Sequence, residues 1–561
     1  MFEEDFLKRT TEFFKEEYLK QIRIKNSEEY IDYVYLTNNE EHNRINELNI
    51  HKSKQKLFKI IVNELVISFF NSEQMLLQLL HNIIKENNIN KIKQLYEVSS
   101  YSEIAVEIFF TKLSIAIENY GKDMIKSEEE NNIHNDETCS ELVKNIIKLI
   151  EKVDSIKVKL NISNDKKYSN LFNLHIYNFI NYNEYKQVFP KILAKYMDIQ
   201  FRNYKTKYNY DEILIVIDKS LNLFKFIEEK DIFEQFYRRF LAAKLLSNIY
   251  YEEIEAKIIS KLKLECGAIY THRCEVMIND IKSSENMFQQ FRTSQFFYNS
   301  AKIEFSVKIL TQGNWPIIGL DTLNIASLNK TKNKSFEFID ILIHFQKFFT
   351  KFYPGKKLYF KMNLGNADVV AKLNKGLYFL NLSTLQTFIC LVLNKQKKIS
   401  YKLLLEVLNI KEATIANSHI YPLIKSGLLL LNENKWQSSK DDASKEFEID
   451  STAVISLNLN FYSKHQKIKF NLIKNNEKII ANHKPDAIVA ERKYLIEASI
   501  IRFMKNKKMI DHNELTSEVI KSLSSSFVPN ILLIKQRIES LIERQYMKRS
   551  EKSYNIYIYT D

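Results

Sequence analysis

Apolar residues recur at three- and four-residue spacing through most of the first two hundred positions, as in LFKIIVNELVISFF (Leu57 to Phe70) and ELVKNIIKLIEKV (Glu141 to Val153). That is the period of amphipathic helices. The pattern breaks over short polar joints at Thr37 to Arg44, Ile125 to Glu137 and Asn161 to Lys167, so the stretch to about Asp211 reads as stacked helices, though no strict repeat period is present. Leu221 to Leu246 continues the helical spacing. KIEFSVKIL (Lys302 to Leu310) then switches to period two and predicts a half-buried strand. From Ser383 three helical runs and an apolar end predict a winged-helix unit; the polar tract Gln437 to Glu446 predicts a loop, KIKFNLI (Lys467 to Ile473) a strand, and Asn475 to Pro485 a linker.

The last seventy residues carry a second unit of this kind. Laid out at about 100° per residue, Glu491 to Lys508 places Ile496, Ile500, Phe503 and Met504 on one side of a helix and Lys505 on the other, facing solvent. A helix through Glu514 to Leu523, a break at Phe527 to Pro529, a third helix with Ile534, Ile538, Leu541 and Ile542 at helical spacing, and an alternating NIYIYTD end complete a small winged-helix unit.

Length and composition narrow the function classes. At 561 residues with 45% hydrophobic content, about three or four globular domains are expected. No apolar run reaches the roughly 18 residues that span a bilayer, and the mixed-charge N-terminus does not resemble a secretory signal. A soluble protein of the cytoplasm or nucleus, with no membrane partner, is expected. The net charge of +13 favours acidic partners, but it is dispersed: Glu491 to Asp561 holds 13 Lys and Arg against 9 Asp and Glu, a net of +4. The 8 glycines form no cluster that could cradle a phosphate.

Candidate chemistry is sparse. Cys139, Cys266, Cys274 and Cys390 show no metal-site spacing; Cys266, His272 and Cys274 lie close in sequence without a fourth ligand, so buried thiols and no metal are expected. No nucleophile with a base, no H-E-x-x-H and no phosphate loop occurs. The expectation is a non-enzyme without a cofactor.

The order of residues is more specific than their periodicity. IEASIIRFMK running to Lys508, HNELTSEVIKSL, the Phe527 to Pro529 break and LIKQRIESLIERQYMKR together resemble the C-terminal domain of the cullin family. FKFIEEKDIF, FYRRFLAAKLL and SKLKLECGAIYTHRCEVMINDI resemble the start of the cullin homology domain. TQGNWP (from Thr311) resembles a family turn, and the stretch Phe349 to Leu373 its hairpin, with Lys356 and Phe360 in place of the commoner Arg and Trp. More weakly, FEEDFLKRTTEFFKEE is similar to the second N-terminal repeat of the family and FPKILAKYMD (from Phe189) to the third. By that alignment the chain starts after the first repeat, which in the family carries the main adaptor surface.

The resemblance implies a mainly α fold with an α/β part: helical repeats over 1–210, a four-helix bundle over 211–298, an α/β sheet region over 299–380, a first winged-helix unit over 381–440, a strand and linker over 441–486, and a C-terminal winged-helix neddylation domain over 487–561. It leaves the cullin-1 and cullin-3 kinds both open. It implies a scaffold for a RING-type ubiquitin ligase in proteasomal degradation, holding a RING-box protein and a ubiquitin-conjugating enzyme, with the substrate adaptor unassigned. In the family a strand of the RING partner joins the cullin sheet, which directs attention to Lys302 to Leu310 and Leu358 to Leu373. It also implies that Lys505, in IIRFMK, accepts a ubiquitin-like modifier through an isopeptide bond, within surroundings set by Arg502, Met504, Lys507 and Lys508. The cationic neighbours disfavour a further charge on the amine, and positioning by a docked enzyme supplies most of the rate.

Three other readings compete. A basic pair of winged-helix units also suits a nucleic-acid reader, but Glu539 and Glu543 interrupt the helix that would face phosphate. A cullin-like subunit of the anaphase-promoting complex shares the fold but lacks the modified lysine, and a degenerate cullin keeps the lysine and binds no receptor.

Overall fold

The structure is a computed structural model that describes residues 2–47, 53–129, 136–162, 164–183, 185–204, 209–247, 249–298, 303–316, 337–361, 364–408, 413–432, 449–450, 452–470, 485–551 and 553–560. Its contacts divide the chain into two compact units, one of residues 1–241, 250–272 and 488–561, the other of residues 242–249 and 273–487.

The first unit opens with long helices whose apolar stripes face one another. Glu73–Glu86, Glu103–Glu129 and Lys166–Ile180 pack side by side. The approach is close enough at Gly121 that a Cβ there would sit 2.6 Å from the Phe179 ring, so only glycine fits. The predicted joint at Thr37 to Arg44 is instead the middle of one continuous helix, Ser27–Glu47. The reason is Asn38: it occupies a core position, 6% exposed, between buried Val34 and Ile45, and a polar residue in an apolar stripe hides the helical period. Likewise Glu103–Glu129 carries through Ile125, whereas the joint at Asn161 is real, with Asn161 in the left-handed region (φ 54°) and Asp165 capping the next helix. Tyr210–Phe224, Lys230–Leu246, Glu252–Cys266 and Ala268–Thr293 follow as four consecutive helices. Among the described residues no single helix is long and apolar enough to cross a membrane.

The second unit is built around an aromatic cluster and a sheet. Phe291, Phe345, Phe348 and Phe349 are buried together, and Phe305, Val307 and Ile309 pack on them. The alternation predicted for KIEFSVKIL holds in part: Phe305, Val307 and Ile309 are half-buried but Ile303 is exposed, Lys302 lies outside the described residues, and residues 303–310 have no ladder partner among the described residues. The segment is held instead by Ser284 and Lys308. Ser284 Oγ accepts from Ile309 N (2.7 Å), and Lys308 Nζ donates to the carbonyls of Leu245 and Leu246 (2.6 and 2.9 Å) at a helix end. Asp280 fixes the following turn, accepting from Thr311 N, Thr311 Oγ1 and Trp315 Nε1 at 2.7–2.8 Å.

Strands β1 (Asn366–Leu373) and β2 (Gly376–Ser383) form an antiparallel hairpin. The hairpin thus lies later than the expected Phe349 to Leu373, because Glu337–Phe352 continues as helix. The winged-helix unit that follows comprises helices Thr384–Lys395, Tyr401–Leu408 and Ala413–Lys425 with β3 (Lys398–Ser400), β4 (Leu429–Leu431) and β5 (Val454–Leu457), in sheet order β3-β5-β4. β6 (Lys467–Lys469) joins β2 in parallel, and residues 471–473 of the expected strand lie outside the described residues. The polar tract Gln437 to Glu446 and residues 475–484 of the expected linker lie outside the described residues.

Candidate modification site

The terminal winged-helix unit belongs to the first compact unit. It has helices Pro485–Lys507, His512–Leu523 and Ile531–Glu543 and strands β7 (Met509–Asp511), β8 (Met547–Arg549) and β9 (Ile556–Tyr559), in sheet order β7-β9-β8. Ile496, Ile500 and Met504 are at most 1% exposed and pack with Leu515, Ile534, Ile538 and Leu541. The face opposite this core carries Lys505. It is exposed, in the last turn of the helix, with no hydrogen bond or ion pair to any described residue.

The last turn that displays it is fixed. Lys508 adopts a left-handed conformation (φ 60°), its N–H donates to Met504 O (2.8 Å), and its carbonyl accepts from Tyr559 N (2.9 Å) on β9. The Lys508 ammonium stands 4.9 Å from the Tyr559 ring centroid. Lys507 is paired with Glu514, which raises its pKa, so its charge is matched locally and the bare count of cations around Lys505 overstates the field there. Arg502 is exposed and lies over the Phe503 ring, 5.3 Å from its centroid. Met504 points into the core rather than toward the amine.

Thirteen residues earlier, the same helix is anchored by a contact that no sequence pattern announces. Arg492 Nε donates to Asp231 Oδ2 (2.6 Å), and Arg492 Nη2 to Asp231 Oδ1 (2.8 Å), while Nη2 also lies 3.2 Å from Glu229 Oε2. The guanidinium is 4.8 Å from the Phe527 ring centroid. Asp231 N donates to Ser526 O (3.2 Å), and Gln235 Nε2 donates to Glu491 Oε2 (2.9 Å). Burial lowers the pKa of Arg492, and the two carboxylates outweigh it, leaving the guanidinium firmly charged; burial raises the Glu229 carboxyl, with Arg492 opposing that effect. A bidentate, part-buried arginine of this kind ties the terminal unit to the start of helix Lys230–Leu246. Asp231 sits 261 positions away, so periodicity could not reveal it.

Elsewhere, no group of three or more His, Cys, Asp or Glu side chains that could hold a metal occurs among the described residues. Cys266 is buried and its thiol is pushed up to about 12 by that burial.

Comparison with known proteins decides the lineage. The model of the Cullin alpha solenoid domain matches residues 1–288, that of the Cullin alpha+beta domain residues 309–461, and that of the Cullin protein neddylation domain residues 491–553. The chain belongs to the cullin family. It is similar to Cullin-3 of Dictyostelium discoideum (27% identical, covering 85% of this chain and 63% of that protein) and to Cullin-3B of Arabidopsis thaliana (27% identical, 91% and 66%). It is also similar to Cullin-4A of Homo sapiens (28% identical, 86% and 59%). Of the two kinds left open by the sequence, the cullin-3 one fits these relatives, and the chain spans about three fifths to two thirds of their lengths. Lys505 lies inside the segment that matches the neddylation domain.

Proposed function

We propose that this cullin is the non-catalytic scaffold of a RING-type ubiquitin ligase in the cytoplasm or nucleus, and that Lys505 accepts a ubiquitin-like modifier. The observation that carries the reading is an exposed lysine without a partner among the described residues, on a fixed last helical turn, inside a segment that matches the cullin neddylation domain. An amine that must attack a thioester has to be reachable and held still. Lys505 is reachable, and the backbone turn that carries it is fixed by the bonds among Met504, Lys508 and Tyr559; a docked enzyme would hold the amine itself.

The RING-box protein is proposed to add a strand to the α/β region. Two features support this: Phe305, Val307 and Ile309 are half-buried against the aromatic cluster in a segment with no ladder partner among the described residues, and β1 is an edge strand paired on one side only among those residues. Such backbone offers unpaired groups to an incoming strand. A ubiquitin-conjugating enzyme held by that partner would then transfer ubiquitin to a substrate, and modification of Lys505 would bias the terminal unit away from its Arg492-anchored position.

The test is reconstitution of the chain with a RING-box protein and a ubiquitin-loaded conjugating enzyme. A stable complex that discharges ubiquitin faster than the RING-box protein alone, and faster again after modification, is the expected result. Failure of the chain to bind the RING-box protein would overturn the ligase reading.

A further inference from the structure

The hairpin sheet of the second unit buries one face only. Val369, Ala371 and Leu373 of β1, Tyr378, Leu380 and Leu382 of β2 and Ile468 of β6 pack into the core. The opposite face, by the two-residue alternation of strands, presents Val370, Leu377 and Phe379 to solvent at 59%, 46% and 43% exposure. The register makes these neighbours. Val370 lies directly across from Phe379, Lys372 across from Leu377, and Lys467 beside Phe379 on the third strand, with Lys469 two residues on. Lys372, Lys467 and Lys469 are exposed and have no ion-pair partner among the described residues. The acidic residue of this face, Asp368, accepts from Asn381 Nδ2 (2.6 Å).

An apolar centre within a rim of unpaired lysines is the layout of an interface. We propose that this sheet face docks an acidic polypeptide segment that carries apolar side chains, the apolar residues covering Val370, Leu377 and Phe379 while carboxylates meet Lys372, Lys467 and Lys469. Charge complementarity selects this occupant. The aliphatic members Val370 and Leu377 offer no stacking platform for bases, and the cations are lysines rather than planar, bidentate arginines, which sets a protein segment ahead of nucleic acid. The inference rests on the sheet alone and is independent of the ligase reading.

The experiment uses the full chain and fluorescein-labelled 18-residue probes. Two acidic peptides carry Phe and Leu, one at i, i+3, i+4 spacing and one alternating; a third has those residues replaced by Ser; a fourth probe is a 20-nucleotide oligo-dT. At least one apolar acidic peptide should bind about tenfold tighter than the Ser control. Val370→Thr with Phe379→Thr, which places a β-branched residue of good strand propensity at both positions, should abolish that tenfold advantage. Lys467→Glu with Lys469→Glu should weaken every acidic peptide and flatten the salt dependence. Circular dichroism on each variant checks that the fold is retained. Equal binding of the apolar and Ser peptides, insensitivity to the Thr pair, absence of binding by both apolar peptides, or displacement of the bound peptide by oligo-dT would overturn the proposal.

Discussion

The two winged-helix units share one topology and use it differently. Each runs helix, strand, helix, helix, strand, strand, with the last strand central in its three-stranded sheet. In the first unit the leading helix has 12 residues, and its start is locked inside the core. Ser383 Oγ accepts from Gln386 N (3.1 Å), Ser383 N donates to Gln386 Oε1 (2.9 Å), and the buried Ser383 Oγ and His419 Nδ1 share a hydrogen bond of 2.8 Å. In the terminal unit the leading helix has 23 residues. Its extra turns carry Arg492 near one end, and Lys505 lies near the other, roughly 20 Å along the axis at 1.5 Å per residue. One fold is thus closed on itself, and its counterpart has a rod that links an anchor to a displayed amine.

If that difference is real, breaking the anchor should have the largest effect and leave the terminal core folded. Arg492→Ala leaves Asp231 and Glu229 facing each other in a part-buried site without their cation. Removal of one partner from such a group costs roughly 3 kcal/mol. Hydrogen exchange should accelerate at residues 229–235 and 524–528, while the segment around Ile534 to Leu541 stays protected. Uniform protection in the variant would show that the arginine is not the anchor.

The closed unit should be sensitive to acid instead. Burial pushes the His419 pKa down from 6.5 to about 4, so the folded state holds the ring neutral. Its contribution is fully present above pH 6.5 and is lost as pH falls toward 4, by roughly 3 kcal/mol in all at about 1.4 kcal/mol per pH unit. Scanning calorimetry from pH 7.5 to 4.5 should show a steep loss of stability that His419→Asn flattens, at the cost of a lower starting point. An unchanged slope in the variant would assign the acid sensitivity to other groups.

A smaller test sharpens the comparison at the helix ends. The leading helix of the first unit ends on extended Gln396 (φ −114°), whereas that of the terminal unit ends on left-handed Lys508. Lys508→Gly should relieve the left-handed strain by up to about 1 kcal/mol, less the lost contact with Tyr559. Chemical denaturation would read a change of a few tenths to 1 kcal/mol, and a large destabilisation would mean that the Tyr559 contact outweighs the backbone.

Much of this was legible in the chain. Ile496, Ile500 and Met504 at helical spacing gave the buried face and therefore the exposure of Lys505, because a surface helix has one apolar stripe. What stayed hidden depends on distant partners or on broken patterns. Asn38 in a core position disguises a continuous helix, and Phe305, Val307 and Ile309 recur at strand spacing yet have no ladder partner among the described residues, which periodicity alone cannot supply. Lys507 is a bare cation in the sequence, but Glu514 pairs with it in the fold, and the Arg492 contacts to Glu229 and Asp231 join segments that no local signal connects.

The most direct measurement is the intact mass of the chain after incubation with a RING-box protein, the ubiquitin-like modifier and its conjugating enzymes, for the wild type and Lys505→Arg. Lys505 has no partner among the described residues to lose, so both proteins should fold and bind equally. The account predicts one adduct on the wild type and none on the variant. An adduct that persists on Lys505→Arg, or no adduct on a wild type bound to the RING-box protein, would contradict it.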